Sequence, residues 1–496
     1  MLFNSFKFLL FFPLVFTVYW TINSLPNLLR SVISLSEGFI RNFQNLFILA
    51  ASYLFYGAWN FKFLFLLIFS SIVDYTIGYY MGKSRKKNVR KILLLLSLTV
   101  NLGILGFFKY YNFFIDSFVS LSETVGFQVN LTSISVILPV GISFYTFQTL
   151  SYSIDIYREK LQPTKSIISF MSYVAFFPQL VAGPIERAVN LLPQFEIKRK
   201  FDYQLAVLGM RQILWGFFKK LVIADTCAPI VNEIFTNSPD ASSLALILGA
   251  VLFAFQIYGD FSGYSDIAIG LARLLGFKLM QNFAFPYFSR DIAEFWRRWH
   301  ISLSTWFRDY LYIPLGGSRG SKYHKIRNVF IIFLVSGLWH GANWTFVFWG
   351  VLNAFFFLPL LLFKFNRVNV EVVASNSIFP SFRDILAILL TFLLTCFAWI
   401  FFRAQSLSEA FIYVKGLFTK INVPIWNGVD LNSESFDWLI FYLLFFFSLE
   451  WLNRTSQFGF TLYHVPKWIR VTLYVVVFAL VVYHFGEERD FIYFQF

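Results

Sequence analysis

Long apolar runs constrain the fold of this chain more than any other feature of its sequence. A helix needs about 18 to 20 apolar residues to cross a bilayer core, where backbone polar groups must be satisfied internally. Runs that approach or exceed this length lie at residues 5–22, 63–82, 92–114, 136–157, 243–270, 343–363, 384–402 and 468–485. Shorter candidates lie at 45–59, 167–182, 327–340 and 437–452. We therefore predict an all-α polytopic membrane protein, with about ten to twelve apolar helical elements in one integral membrane domain over residues 1–496.

The charged residues support this class and argue against a nucleic-acid-binding surface. Only 14% of the 496 residues are charged, although the formal net charge is +14, whereas soluble domains average about 25% charged residues. The basic residues cluster between apolar runs, as in the acid-free stretch 83–91, and they do not line one polar face as nucleic-acid recognition requires. Short basic loops of this kind are retained in the cytoplasm. We therefore predict a basic cytoplasmic loop at 83–91, an outside turn near residues 60–62 and an N-terminus outside.

The segment 291–310, DIAEFWRRWHISLSTWFRDY, differs from the apolar runs. Its aromatic and aliphatic residues recur at i, i+3, i+4 and i+7, which predicts one amphipathic helix with His300 on the aromatic face. Its arginines cannot lie in hydrocarbon, so the helix suits the membrane interface or a groove within the protein. The following LYIPLGGSRGS contains Pro314 and the Gly316-Gly317 pair. These residues predict irregular backbone that protein or water must cover.

His340 lies in SGLWHGANWT, residues 336–345, within an apolar stretch. One interpretation is structural: a core histidine that donates a ring proton to a backbone carbonyl and bridges two helices. The other is functional, because ionisable residues inside a membrane are by default candidates for function. Gly337 and Gly341 would allow the close approach of a backbone or a ligand, and burial favours the neutral imidazole, which can remove a proton from a hydroxyl group. The residues alone leave both interpretations open.

The other histidines and the familiar catalytic motifs offer no stronger site. We expect His324 to be solvated, His464 to be interfacial and His484 to end a helix with Glu487 or Glu488 as its partner. The sequence has no phosphate-binding P-loop and no Asp-x-Asp pair. No two histidines have the spacing of metal ligands. We therefore expect no bound metal and no bound cofactor.

Five sequence blocks resemble the membrane-bound O-acyltransferase (MBOAT) family. They are FWRRWHISLSTWFRDYLYIPLGGSRG (295–320), SGLWHGANWTFVFWG (336–350), LPVGISFYTFQTLSYSIDIYR (138–158), FFPQLVAGPIERAVNLLPQF (176–195) and YGDFSGYSDIAIG (258–270). The likeness covers essentially the whole chain; it is closest to the branch that O-acetylates alginate and more distant from the branch that transfers D-alanine. It implies a ring of tilted helices around a central funnel or tunnel, with re-entrant or interfacial helices and a motif core at 258–350.

The resemblance also implies an activity and a site. The chain would be an O-acyltransferase that moves an acetyl group from a cytoplasmic thioester, such as acetyl-CoA, to an exported polysaccharide, either alginate-like or peptidoglycan-like. His340 would be the catalytic base, and His300 would orient the donor or, as a hydrogen-bond donor, stabilise charge at the thioester carbonyl. The candidate donor-binding residues are Trp296, Arg297, Arg298, Trp299, Arg308 and Trp339.

The resemblance implies a location and partners as well, and it leaves alternatives open. The protein would span the plasma membrane, the inner membrane of a bacterium, in contact with lipid. Its partner would be an extracytoplasmic acetyltransferase or the polysaccharide itself. Arg297, Arg298 and Arg308 would either attract an anionic donor or hold their helix at lipid head groups. The alternative function is transport of a polar or lipid-linked substrate, in which His340 would relay protons.

Overall fold

The computed structural model of the protein describes residues 1–28, 36–424, 434–463, 465–486, 489, 491 and 492. His464, Glu487 and Glu488 lie outside these residues, so the expectations for them stay predictions. His324 is exposed beside Ser321, as expected. His484 follows a helix, and its Nε2 lies 3.4 Å from the hydroxyl oxygen of Tyr442.

Every regular element in the described part of the chain is helical, which confirms the predicted all-α class. The α-helices are α1 (Phe6–Leu28), α2 (Glu37–Gly57), α3 (Phe61–Lys83), α4 (Lys87–Leu105), α5 (Tyr111–Thr124), α6 (Ile142–Tyr157), α7 (Ile167–Ala175), α8 (Phe177–Leu180), α9 (Ala188–Glu196), α10 (Tyr203–Phe217), α11 (Asp225–Thr236), α12 (Ser243–Leu274), α13 (Ile292–Arg298), α14 (Ile301–Phe307), α15 (Lys322–His340), α16 (Trp344–Leu362), α17 (Phe382–Arg403), α18 (Leu407–Thr419), α19 (Glu434–Leu452) and α20 (Lys467–Tyr483). Shorter π-helical segments are Gly106–Tyr110, Phe218–Ala224 and Arg308–Tyr312, and Pro286–Phe288 forms a 3-10 turn.

Six helical stretches among the described residues are long and apolar enough to cross a membrane, so the protein is an integral multi-pass membrane protein. They are Phe6–Ser24, Phe61–Lys83, Lys87–Thr124, Ser243–Leu274, Trp344–Leu362 and Phe382–Arg403. Each coincides with one of the long apolar runs of the sequence. The run at 136–157 differs because its helix, α6, has only 16 residues. The run at 468–485 forms α20, which has 17 residues, fewer than the roughly 20 that a span needs.

The chain forms two compact units. The first comprises Met1–Met210 with Ala268–Met280, and the second comprises Arg211–Ile267 with Gln281–Phe496. The boundary between them falls within α10 and α12. The single membrane domain over residues 1–496 and the ring of helices around a funnel stay predictions.

In the first unit, a buried carboxylate joins three helices. Asp74 of α3 is fully buried, and its oxygens accept hydrogen bonds from Ser97 Oγ at 2.5 Å and Asn101 Nδ2 at 2.8 Å, both from α4. Ser153 Oγ of α6 lies 3.3 Å from the same carboxylate. Lipid offers no hydrogen-bond partners, so a polar group in a spanning helix must find them within the protein. Asp74 thus satisfies its own oxygens and fixes the packing of α3, α4 and α6.

The basic stretch 83–91 is mostly helical in the structure. α3 ends at Lys83 and α4 begins at Lys87, so the connection itself comprises only residues 84–86. Arg90, in the first turn of α4, forms an ion pair with Glu159 and donates to the backbone oxygen of Ile156 at 2.8 Å. The cytoplasmic position of this stretch stays a prediction.

In the second unit, α15 and α16 form a hairpin with very close helix packing. A Cβ atom on Gly337 of α15 would lie 2.3 Å from the backbone oxygen of Phe346, and one on Gly350 of α16 would lie 2.3 Å from the backbone oxygen of Phe333. Small residues at such positions let helix backbones approach each other in membranes. The turn comprises only residues 341–343, and Asn343 begins α16 by accepting a hydrogen bond from the Thr345 N–H at 3.0 Å.

The segment 291–310 is not one helix, which corrects the prediction from its periodicity. It divides into α13 and α14, and His300 between them has left-handed backbone angles, with φ 44° and ψ 54°. The backbone N–H of Ile301 donates to the backbone oxygen of Asn282 at 2.8 Å, and the backbone N–H of Ala284 donates to the backbone oxygen of Arg298 at 2.9 Å. These bonds with the segment 282–284 replace the helical bonds at the break. The predicted interruption after Tyr310 is confirmed, because Gly316 and Gly317 have positive φ angles of 101° and 58°.

We predict that Gly337→Ala destabilises the protein, because the new methyl group meets the Phe346 backbone, which cannot move without moving α16. Overpacking of this kind costs roughly 1–3 kcal/mol, more than the gain in helix propensity of about 1 kcal/mol. Gly103→Ala in α4 is the matched control, because a Cβ there meets nothing within 4 Å. Thermal unfolding of the purified protein in detergent checks this, and equal melting temperatures for the two variants would contradict it.

Candidate active site

His340 is the last residue of α15 and lies in an aromatic enclosure. It is only 3% exposed. Its ring centroid lies 5.2 Å from those of Trp349 and Phe402 and 4.9 Å from that of Trp339. Trp349 belongs to α16 and Phe402 to α17, so three helices position the imidazole. Aromatic rings around the imidazole keep bulk water away from it.

The glycines beside His340 contribute to helix packing. A Cβ on Gly341 would lie 2.1 Å from the ring of Phe346, and Gly337 faces the backbone of that same residue. The expected close approach of another backbone is therefore confirmed for Gly337. The space beside both glycines belongs to Phe346 and not to a ligand, so access to His340 must come from another direction.

His300 lies in a second buried position that shares a neighbour with His340. It is 1% exposed, and its Nδ1 lies 3.1 Å from Asn282 Oδ1. Its ring packs edge-on against Phe261, with centroids 4.7 Å apart, and lies 5.7 Å from the ring of Trp339. Because Trp339 also contacts His340, one indole joins the surroundings of the two histidines. Burial lowers the pKa of His300 to about 3, so its ring is neutral at physiological pH.

A cavity of about 490 Å³ approaches this region within the second unit. Its size lies within the range of small-molecule sites. Four cationic side chains line it, from Arg308, Lys325, Lys364 and Arg367, and its apolar wall includes Phe307, Val329, Ile332, Phe333, Phe357 and Leu361. Arg308 is paired with Asp309, with Nε 2.7 Å from Oδ1. The cavity thus combines a cationic region with an apolar wall, as an amphipathic anion requires.

The cavity follows one face of α15 towards His340. The helix contributes Lys325, Val329 and Ser336 to its lining, a span of about 17 Å at 1.5 Å per residue. His340 is four residues beyond Ser336 and therefore continues the same face, about 6 Å further along. Trp296 also lines the cavity and contacts Trp349, with ring centroids 5.6 Å apart. Trp296 and Trp349 thus form a chain of ring contacts from the cavity lining to the imidazole.

Among the predicted donor-binding residues, Trp296 and Arg308 line the cavity, and Trp339 contacts both histidines. The other three form structural contacts. Arg297 donates to the backbone oxygens of residues 366 and 369 at 2.9 and 2.7 Å. Arg298 pairs with Glu294 at 2.9 Å, and Trp299 packs in the core against Trp399, with centroids 5.1 Å apart. Arg298 also donates to the backbone oxygen of Ala284 at 3.1 Å, so both arginines hold neighbouring segments against α13.

Sequence reasoning missed several residues of this region. Asn282 lies in KLMQNFAF, which carries no motif, and its role depends on pairing across the break at His300. Lys364 and Arg367 follow α16 and reach the cavity only because α16 runs antiparallel to α15. The sequence signal for these two cations was the high proportion of basic residues in the loops before α15 and after α16. For Trp349 and Phe402, the sequence shows only that they lie in apolar runs and does not indicate that their rings enclose His340.

The helical membrane fold, with a buried histidine beyond an amphipathic cavity, defines a multi-pass membrane protein with a site suited to group transfer. The sequence profile of the membrane-bound O-acyltransferase family matches residues 46–376, which is more than half of the chain. The chain therefore belongs to the MBOAT family and is an acyltransferase, so the transporter alternative is not retained.

Individual relatives support this assignment. The chain is 39% identical over 394 residues to the probable alginate O-acetylase AlgI of Pseudomonas aeruginosa, covering 79% of this chain and 72% of that protein. It is 34% identical over 441 residues to the peptidoglycan O-acetyltransferase of Helicobacter pylori, covering 84% and 78%. Similarity to the teichoic acid D-alanyltransferase of Bacillus subtilis is lower, at 28% over 279 residues, covering 54% and 69%.

We predict that His300 makes the protein less stable in acid. Its pKa is about 3 in the folded state and about 6.5 in the unfolded chain, so only the unfolded chain takes up this proton between those values. Stability therefore falls as the pH drops below about 6.5, by about 2 kcal/mol at pH 5. Unfolding in detergent at pH 8 and pH 5 measures this, and His300→Asn should reduce the difference. Exposed His324→Asn is the control, and equal pH dependence in both variants would contradict the prediction.

Proposed function

We propose that this acyltransferase takes an acetyl group from a cytoplasmic thioester, such as acetyl-CoA, and delivers it for O-acetylation of a cell-surface polysaccharide. The observation that carries the proposal is the face of α15. It bears a cation at Lys325, lines the cavity as far as Ser336 and reaches His340 one turn later. This order suits a donor whose anionic part binds at one end while its reactive end extends towards an imidazole.

The positions of the basic residues support a cytoplasmic mouth for the cavity. The connection before α15 and its first turns contain Arg319, Lys322 and Lys325, and the loop after α16 contains Lys364 and Arg367. Short loops rich in lysine and arginine are retained in the cytoplasm. The turn 341–343, at the other end of the hairpin, then lies towards the outer side of the membrane. We propose that this membrane is the inner membrane of a bacterium.

The chemistry follows from a neutral imidazole in dry surroundings. His340 accepts the proton of an acceptor hydroxyl group as its oxygen attacks the thioester carbonyl carbon, forming a C–O bond. The C–S bond then breaks, and the imidazolium returns the proton to the departing thiolate. The products are an ester and a free thiol, and no other reactant is required. His300, whose ring centroid lies 5.7 Å from that of Trp339, orients the reacting groups.

The similarities suggest the acceptor class. Relatives carry the names alginate O-acetylase and peptidoglycan O-acetyltransferase, so we propose a polysaccharide hydroxyl as the final acceptor. It receives the acetyl group directly or through an extracytoplasmic acetyltransferase partner. Both routes need the same first step, in which the thioester is cleaved beside His340.

We predict that His340→Ala lowers the rate of acetyl transfer by at least about 100-fold, the usual contribution of a general base. The measurement is transfer of labelled acetyl from acetyl-CoA in membrane vesicles that contain the full chain. His324→Ala is the matched control, because this histidine lies on the same helix but is exposed. Unchanged transfer by His340→Ala, at equal protein amount, would leave the imidazole with the structural role alone.

We predict that the double variant Lys364→Gln/Arg367→Gln raises KM for acetyl-CoA by roughly three- to tenfold with little change in kcat, because exposed charges contribute about 0.2–1 kcal/mol each. High salt should raise KM of the unaltered protein more than that of the variant. Lys467→Gln, an exposed cation outside the cavity, should leave KM unchanged. A double variant with unaltered KM would show that the donor does not use this cavity.

A further inference from the structure

Asn282 is buried against His300 in a way that determines the chemistry of the ring. We propose that Asn282 is a positioning residue for acyl transfer: its side-chain oxygen holds the proton of His300 on Nδ1 and leaves Nε2 as a hydrogen-bond acceptor towards the reacting groups. This proposal rests on the proposed function, because it requires His300 to take part in the reaction. Asn282 and His300 are each 1% exposed.

The identity of the Asn282 atom follows from its other partners. The backbone N–H of Ser302 donates to Oδ1 at 3.3 Å, and the Ser302 hydroxyl donates to it at 2.8 Å. A backbone N–H can only donate, so the atom it meets is the oxygen and not the nitrogen of the amide. His300 Nδ1 lies 3.1 Å from this oxygen and must therefore donate its own proton.

The neighbouring serine does not reverse this assignment. Ser302 Oγ also lies 3.4 Å from His300 Nδ1, but its single proton is directed to Asn282 at the shorter distance. A neutral imidazole carries one N–H, so Nε2 has a lone pair. Nε2 is buried and has no hydrogen-bond partner among the residues that the structure describes. It cannot supply the N–H that stabilisation of a thioester oxyanion requires, so an acceptor role replaces the donor role expected for His300.

The backbone makes this arrangement rigid. The backbone oxygen of Asn282 accepts a hydrogen bond from the Ile301 N–H at 2.8 Å, and the Ala284 N–H donates to the backbone oxygen of Arg298 at 2.9 Å. The segment that carries the amide is thus bonded to the chain on both sides of His300, whose left-handed angles are held by these bonds. Amide and imidazole therefore keep their relative orientation, which is what a positioning residue needs.

No charged side chain contacts His300 within the described residues. On α12 the ring meets Phe261, while the adjacent Asp260 pairs with Lys220 at 2.7 Å. On α13, Arg298 pairs with Glu294. On α15 the ring meets Trp339, which also contacts His340, and the 282–284 segment contributes Asn282 and Phe283. With no charge beside the ring, burial lowers the pKa of His300 and keeps it neutral, and a carboxylate at position 282 would be the first charge in contact with it.

Asn282→Asp and Asn282→Leu separate positioning from packing. The aspartate keeps the acceptor and raises the pKa of His300, so the acid limb of the kcat–pH profile should move upwards by about one pH unit or more. The leucine removes the acceptor, so kcat should fall roughly 10- to 100-fold with KM for acetyl-CoA changed less than about twofold. Asn45→Asp is the matched control, because Asn45 is equally buried and its described side-chain partners are Ser169, Phe195 and Arg199, and its pH profile should not shift.

A second readout is independent of turnover. Nitrogen NMR of the full chain labelled with 15N-histidine reports which ring nitrogen of His300 carries the proton, with His300→Ala used to assign the signal. The Nδ1–H form should dominate in the unaltered protein and lose its dominance in Asn282→Leu. If the leucine variant does not accumulate, the aspartate variant, which keeps the volume of asparagine, decides the question through its pH profile.

The outcomes distinguish this proposal from the proposed function. An unshifted pH profile for Asn282→Asp, or an unchanged tautomer in Asn282→Leu, overturns the role of Asn282 while acetyl transfer through His340 stands. Full activity of His300→Ala overturns the role of both residues without affecting His340. If only His340→Ala loses transfer and all His300 and Asn282 variants stay active, the role of Asn282 is likewise overturned.

Discussion

The close contact between α15 and α16 is the interaction on which the site depends. The backbones approach each other at Gly337 and Gly350, where any side chain would meet a carbonyl oxygen at 2.3 Å. This contact and the short turn leave His340 at the end of α15, with Trp349 and Phe402 against its ring. The same contact fixes the rotation of α15 and thus turns the face from Lys325 to Ser336 towards the cavity. The position of the imidazole and the direction of the cavity towards it therefore have one structural cause.

The two histidines differ in the described contacts that surround them. His340 is enclosed by aromatic rings from three helices, whereas His300 is bonded to a rigid polar frame built from Asn282 and Ser302. Hydrogen bonds to one ring nitrogen determine the state of the other. Both rings contact Trp339. A change at this indole would therefore alter the surroundings of both histidines together.

The all-α membrane class could be predicted because the length of an apolar run is a local property of the sequence. The break at His300 could not be predicted, because the aromatic spacing continues from Trp296 to Leu303 as if one helix were present. Its cause lies in the segment 282–284, whose backbone pairs with this region. His340 and His300 were found through motifs, but Asn282 lies in no pattern. Lys364 and Arg367 become neighbours of Lys325 only through the antiparallel hairpin.

The order of side chains along α15 supports the proposal that His340 is catalytic. A histidine that only bridges helices requires partners on neighbouring helices, which Trp349 and Phe402 supply as packing. It does not require that its own helical face be lined by a cavity for about 17 Å, with cations at the far end. Nor does it require contacting indoles, from Trp296 and Trp349, that link the cavity lining to the ring. The proposed reaction of a thioester with a hydroxyl group would use all three features: the cavity as the approach for a charged donor, the imidazole as the base, and the aromatic rings as a barrier that excludes water.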